Sequence, residues 1–273
     1  MGKSTLVNAL CGRKVTIVSD KPQTTRRRAL GVANGDDWQL VLADLPGFQR
    51  PRDPLTERMQ RTVDRSFEDV DAVLFVVDAR ERIGAGDRFI AERVYALGVP
   101  VVVAVNKVDR LKPGHIASQM QTAAVLGLFH ALHPVSAKTG DGIAELRDEL
   151  VELLPEGPLY FPLDQPTDAT PELQIAELVR EKALALTREE VPHAISAEVE
   201  EIGDKVVRAT IFVETDSQKQ IVVGKGGSIV KEIGTRARPE IEALLDRPVF
   251  LELRVKVRPR WRRDAAMLER LGL

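Results

Sequence analysis

The chain has 273 residues, a length that suits two domains at roughly 100–200 residues each. Hydrophobic residues make up 44% and charged residues 29%, enough apolar material for packed cores, so wholesale disorder is not the expectation. No apolar run approaches the ~20 residues of a membrane span, MGKSTLVNAL lacks a signal-peptide layout, and Cys11 is the single cysteine, which excludes a disulfide framework and suits a reducing cytoplasm.

The four histidines (His115, His130, His133, His193) have no metal-ligand spacing, which argues against zinc. The formal net charge of −2 conceals a polarised second half. Lys219 to Arg263 holds 12 Lys/Arg against 5 Asp/Glu, net +7, whereas Pro171 to Gln218 holds 5 against 11, net −6. A concentrated basic stretch on a mildly acidic chain suits contact with a phosphate backbone.

Taken from the start, Gly2-Lys3-Ser4-Thr5 opens a helical pattern with Leu6, Val7 and Leu10 on its apolar face. In a phosphate loop such a glycine lets backbone N–H groups close round phosphates, the lysine reaches the β- and γ-phosphates, and the serine hydroxyl ligates Mg²⁺. A first apolar run, Trp38–Asp44, ends in Asp44-Leu45-Pro46-Gly47. An acidic residue at a strand end can hold the water shell of Mg²⁺, and the glycine N–H can sense a γ-phosphate.

Helical patterns near 53–68, 87–97, 114–127 and 142–153 alternate with runs at Ala72–Asp78, Val99–Asn106 and His133–Ala137. Near-continuous β-branched runs indicate strands buried on both faces, hence a mostly parallel sheet in an α/β domain over 1–155. Asn106-Lys107-Val108-Asp109 ends the third run, where a carboxylate that accepts from N1–H and N2–H₂ of guanine rejects adenine. Ser136-Ala137-Lys138 ends the fourth, with a backbone N–H available for guanine O6. All four motifs lie in one chain order, three of them at strand ends, a coincidence that points to guanine-nucleotide binding.

Residues 156–170 lie in a stretch, Leu154–Glu172, with five prolines and no helical period, an extended linker. Beyond it, 171–273 predicts a helix, a hairpin of Ala194–Ile202 and Lys205–Thr215, a glycine-rich turn opening a helix with a break near Arg238-Pro239, and a strand at Val249–Val257. Gly224-Lys225-Gly226-Gly227, placed between a strand-like stretch (Ile221–Val223) and a helix, is a G-x-x-G loop able to clamp single-stranded RNA, with Lys231, Arg236 and Arg238 on the following helix. Trp261 among Arg258, Arg260, Arg262 and Arg263 is either a stacking surface or a packing anchor.

These motifs, with SQKQIVVGKGGSIVKEIGTRARPEIE, resemble the Era family of translation-factor-related GTPases over essentially the whole chain. The resemblance implies a P-loop G domain followed by an α+β type II KH domain, with GTP as substrate and Mg²⁺ as cofactor. It implies partnership with 16S ribosomal RNA and the small ribosomal subunit in 30S assembly, and admits peripheral membrane association. A monomer is expected. In that resemblance Pro22-Gln23-Thr24-Thr25-Arg26 matches the first switch, with Thr25 meeting Mg²⁺ and the γ-phosphate and Thr24 as the alternative.

Two departures stand out. Leu45 replaces a usual threonine, and Phe48 occupies the place of a water-orienting glutamine, leaving Gln49 as a substitute only if its side chain turns inward. Gly2 is the second glycine of the Gly-x-x-x-x-Gly-Lys-Ser/Thr pattern, so the first glycine, three following residues and the first strand are missing. The expectation is a longer native protein. As written, much weakened GTP affinity is expected, and the alternative reading is an RNA-binding scaffold without GTPase activity.

Overall fold

In a computed structural model all of residues 1–273 are described, and they fall into two compact units. The first comprises residues 1–16, 28–44 and 63–168, the second 17–27, 45–62 and 169–273.

The first unit begins with helix α1 (Lys3–Cys11), followed by strands β1 (Ala29–Asn34) and β2 (Gln39–Asp44). Helix α2 (Pro54–Arg65) belongs to this unit only from Val63 onward. Then come β3 (Val73–Asp78), α3 (Ala85–Tyr95), β4 (Val101–Asn106), α4 (Pro113–Ala124), β5 (Ala131–Val135) and α5 (Ile143–Glu152). β3, β4 and β5 form a parallel sheet in that order, while β1 and β2 form an antiparallel pair. β1 is a strand the sequence pattern did not reveal, because its run ALGVAN is short and weakly apolar.

Every residue of β4 is buried, as its unbroken apolar run requires. On one face Leu6, Val7 and Leu10 of α1 pack with Leu40, Leu42, Val102 and Leu146. On the other, Ala91 and Val94 of α3 and Ala123 of α4 cover Phe75, Val77, Val103 and Val105. The proline-rich segment is hydrogen-bonded to the first two strands: Val32 N–H donates to Pro166 O (2.9 Å), and Gln39 bridges to the backbone of Tyr160 and Phe161.

The second unit carries α6 (Pro171–Leu186), the single turn α7 (Val191–Ala194), β6 (Ser196–Ile202), β7 (Val206–Val213), α8 (Asp216–Val223), α9 (Ser228–Leu245), β8 (Phe250–Val257) and α10 (Ala265–Arg270). β6 and β7 are antiparallel, as the hairpin reading requires, with a register shift between Val199 and Glu201, and β8 runs parallel to β7. Two expectations are corrected. Ile221–Val223 is the end of α8, because Thr215 and Gln218 form a reciprocal capping box that starts a helix there. And α9 continues through Pro239 without the expected break. Ile233, Ala237 and Ile241, spaced four apart and fully buried, hold both sides of the proline against the core, which offsets the ~3 kcal/mol a mid-helix proline costs.

That core joins Ile175, Val179 and Ala183 of α6 to Val207, Ile211 and Val213 of β7 and the inner stripe of α9. Ile233→Ala should therefore destabilise this unit by about 2–5 kcal/mol, measured as a lowered urea midpoint. A loss below ~1 kcal/mol would show that the stripe is not the anchor of α9.

Candidate nucleotide site and RNA-facing loop

α1 starts without any side-chain cap, and Gly2 before it takes a left-handed conformation at φ 88°. A Cβ at Gly2 would stand 2.8 Å from Asn106 Nδ2, so only glycine fits both the dihedral and the space. Lys3, Ser4 and Thr5 then form the first helical turn, where backbone N–H groups have no helical partners. Burial pushes the Lys3 ammonium below its ordinary pKa, and the nearby Asp44 carboxylate partly restores it. Asp44, at the end of β2, is almost fully buried and accepts a hydrogen bond from Thr16 Oγ1 at 3.0 Å.

Asn106, the last residue of β4, ties three sequence motifs together. Its Nδ2 donates to Met1 O (3.0 Å), and its Oδ1 accepts from Lys107 N (2.8 Å) and Ala137 N (3.0 Å). The Ala137 N–H, expected at guanine O6, donates here to Asn106 Oδ1, and the Asn106 side chain braces the loops around it. Lys107 adopts φ 73°, an uncommon left-handed conformation for a side chain with a Cβ. Its Nζ lies 2.6 Å from Asp78 Oδ2.

Asp78 at the end of β3 was not singled out by motif, although a carboxylate closing a buried apolar run is itself a signal. Burial works against its ionisation, yet hydrogen bonds from Arg80 and Lys107 hold the carboxyl well below the usual range. Val108 is buried in a short 3₁₀ turn over Val108–Arg110 that carries Asp109. Ser136 Oγ donates to Asp109 Oδ1 at 2.8 Å, fixing the carboxylate, while Lys138 is exposed beside it in sequence.

Thr24, Thr25, Leu45, Pro46, Gly47 and Phe48 belong by their contacts to the second unit. Thr24 Oγ1 donates to Lys21 O (2.7 Å), and Arg180 Nη2 donates to Thr24 O. Arg26 is buried, donating to the carbonyls of Ile195 (2.6 Å) and His193 (2.9 Å), with its guanidinium 5.5 Å from the Trp261 ring centre. Desolvation, then the like charges of Arg180, Arg262 and Arg27, bring its pKa down to about 9, so it stays charged at neutral pH. Gln49 accepts from Gln23 and its Nε2 lies 3.4 Å from Met59 Sδ, so the side chain is engaged there.

The G-x-x-G loop joins α8 to α9, a helix-to-helix turn where a strand-to-helix turn was expected. Gly224, Gly226 and Gly227 all have positive φ (74°, 60° and 80°). Lys225, Lys231, Arg236 and Arg238 are exposed on the loop and α9, with Arg236 paired to Glu232 one turn away at 2.7 Å. An open groove beside the loop is lined by Asp216, Lys219, Gln220, Val223, Gly224 and Lys225. Trp261, by contrast, is fully buried and donates from Nε1 to Ala194 O (2.8 Å), which makes it a packing anchor and excludes it as a stacking surface.

Strand-end motifs on a parallel sheet, converging through Asn106 on a glycine-led helix N-terminus, define a guanine-nucleotide-binding domain, here joined to a KH-type module. Residues 1–107 match the family model described as 50S ribosome-binding GTPase, and residues 190–262 match the KH domain. GTPase Era of Heliobacterium modesticaldum is 43% identical over 100% of this chain and 93% of its own length. GTPase Era of a Nocardioides species is 44% identical over 99% and 92%. Era in complex with MgGDPNP and nucleotides 1506–1542 of 16S ribosomal RNA superposes with TM-score 0.95 at 40% identity, covering 99% of this chain and 94% of that one. An Aquifex aeolicus Era variant bound to GDP and AlF4⁻ gives 0.92, with the same identity and coverage. The chain belongs to the Era family of GTPases.

Proposed function

We propose that this chain is a Mg²⁺-dependent, GTP-hydrolysing switch that binds the 3′ region of 16S ribosomal RNA through its KH module during small-subunit assembly in the cytoplasm. The observation that carries the nucleotide half is the Asn106 clasp, which fixes the glycine turn before α1, the Lys107 turn and the Ala137 loop from one side chain. The exposed basic G-x-x-G loop supports the RNA half.

The residues present fit the cofactor: a buried carboxylate, Asp44, electrostatically linked to Lys3, and the Ser4 hydroxyl one residue on are hard oxygen donors of the kind Mg²⁺ takes. Mg²⁺, when bound, neutralises charge developing on the β- and γ-phosphate oxygens. Ser4 and Thr25 would ligate it and Asp44 would hold its water shell. Lys3 supplies a second positive charge at the β- and γ-phosphates, worth more in its partly desolvated setting than in water. Gly47 offers its N–H to the γ-phosphate, and Asp109, held by Ser136, accepts from the guanine edge. Slow intrinsic turnover is expected, because Phe48 cannot orient water and Gln49 is engaged with Gln23 and Met59.

Phosphate release from GTP should require Mg²⁺ and fall about 10²-fold or more in Lys3→Ala. Release that survives either change would overturn the catalytic reading. RNA binding indifferent to nucleotide, with no phosphate release at all, would leave the RNA-binding scaffold.

A further inference from the structure

Asp78 reads neither base nor phosphate, yet it is wired into the nucleotide motifs of the first unit. It closes β3, and the parallel pairing of β3 with β4 sets it in register with Asn106. Ala79 N–H donates to Asn106 O (2.8 Å), so the two strand ends leave the sheet together. The residue after Asn106 is Lys107, whose Nζ meets Asp78 Oδ2 at 2.6 Å. The Asp78 side chain is 1% exposed and that of Lys107 29%. Arg80 takes up the rest of the carboxylate: its backbone N–H and Nε donate to Oδ1 (3.1 and 3.0 Å), and its Nη2 donates to Oδ2 (2.9 Å). The Met1 amino group, 3.7 Å from Oδ2, is beyond hydrogen-bond reach.

Lys107 stands at a junction. Its left-handed backbone costs free energy for a residue with a Cβ, so the surrounding contacts must hold it. Asn106 Oδ1 accepts from its N–H, and its carbonyl accepts from Arg110 N (3.0 Å), which closes the 3₁₀ turn that carries Asp109. From that turn the side chain reaches the phosphate side: a Cβ on Gly2 would stand 3.6 Å from Lys107 Cε. The stem thus crosses from the base-reading turn to the glycine turn before α1, with its ammonium fixed at the far end. A free lysine side chain samples many rotamers, and ordering it on binding costs affinity. Asp78 removes that freedom before a nucleotide arrives, and the Arg80 fork orients the carboxylate that does so.

We propose that Asp78 is a positioning residue for nucleotide binding: it pins Lys107 so that the lysine stem forms a preset wall between the Gly2 turn and the Asp109 turn. This deepens the nucleotide reading and rests on it. Asp78 touches neither nucleotide nor metal in this role. The wall lies between the base-reading turn and the start of α1, so its loss weakens diphosphate and triphosphate alike and leaves the chemical step unchanged.

The test uses the full chain in Mg²⁺, with Kd for GDP and for a non-hydrolysable GTP analogue measured by calorimetry and steady-state phosphate release from GTP measured alongside. Freeing one long side chain corresponds to up to about tenfold in affinity, so Asp78→Asn should raise both Kd values by about that factor. It should raise KM with kcat unchanged. Lys107→Met should weaken both nucleotides to the same degree, and the double variant should be no worse than either single one, because both remove the same contact. Arg80→Gln, which takes the guanidinium from Asp78 but spares the lysine, should bind both nucleotides as the parent does. Asp78→Glu displaces the carboxylate by one methylene and serves where Asp78→Asn fails to fold; the same loss is expected. Parental Kd values in the Asp78 variants, or losses that multiply in the double variant, would overturn the clamp with nucleotide binding intact. An equal loss in Arg80→Gln would reduce Asp78 to general support of the strand end and overturn it likewise. Failure of the parent chain to bind either nucleotide would overturn the underlying reading, and the clamp with it.

Discussion

Asp109→Asn should turn a guanine-preferring protein into a xanthine-preferring one. The Asp109 carboxylate is immobilised by Ser136 Oγ at 2.8 Å and by proximity to Arg110 Nε at 3.3 Å, so it is aimed before any base arrives. Guanine presents two donors, N1–H and N2–H₂, to two acceptor oxygens. Xanthine keeps N1–H but replaces the amine with a carbonyl, which an asparagine amide can meet with its own N–H₂. A site built to bond a polar group rejects the mismatched analogue by about 10⁴-fold, so the ratio of guanine to xanthine affinities should invert over several decades. Ser136 can still donate to the asparagine carbonyl, so the loop keeps its shape. Calorimetric Kd values for GDP and XDP decide the matter. A variant that still prefers GDP would remove Asp109 from the base-reading role.

Gly226→Asp should abolish tight RNA binding while leaving the protein folded. A Cβ on Gly226 meets nothing within 4 Å, so the cost to folding is confined to its φ of 60°, about 1–2 kcal/mol and less for aspartate, which tolerates that region. The effect on RNA is larger, because a carboxylate then stands where phosphate oxygens must approach. Losing two charge-assisted hydrogen bonds at about 1.5 kcal/mol each corresponds to roughly 100-fold in Kd. The probe is an RNA matching nucleotides 1506–1542 of 16S ribosomal RNA, the segment in the related Era complex. Gly224→Ala gives the contrast. Its Cβ would fall 2.8 Å from Ile229 N and 2.7 Å from Ile229 Cγ1, so that change should lower the unfolding midpoint. Wild-type RNA affinity in Gly226→Asp would mean that the loop is not the clamp.

The amino-acid sequence by itself determined the strongly apolar strands, though not the short, weakly apolar β1, and where the nucleotide motifs fall. An unbroken run such as VVVAV is satisfied between two helical layers, and Asn106 closes that strand, Ser136 directly follows β5, and Gly2 directly precedes α1. The G-x-x-G loop was legible because three closely spaced glycines allow the positive φ values that a tight turn needs. Its neighbours were not. Ile221–Val223 looks like a strand until the Thr215–Gln218 capping box is recognised, and Pro239 looks like a helix break until the buried stripe on either side of it is seen. Only tertiary structure decided the rest. Asn106 clasps Met1 O and Ala137 N, both far from it in sequence, and Trp261, which the sequence left open as a stacking surface or a packing anchor, lies in a core. The pairing of Arg26 with Trp261 joins residues 235 apart, and no local pattern records it. Propensity and periodicity act over a few residues, whereas the partner that satisfies a buried donor is fixed only when distant segments close on each other.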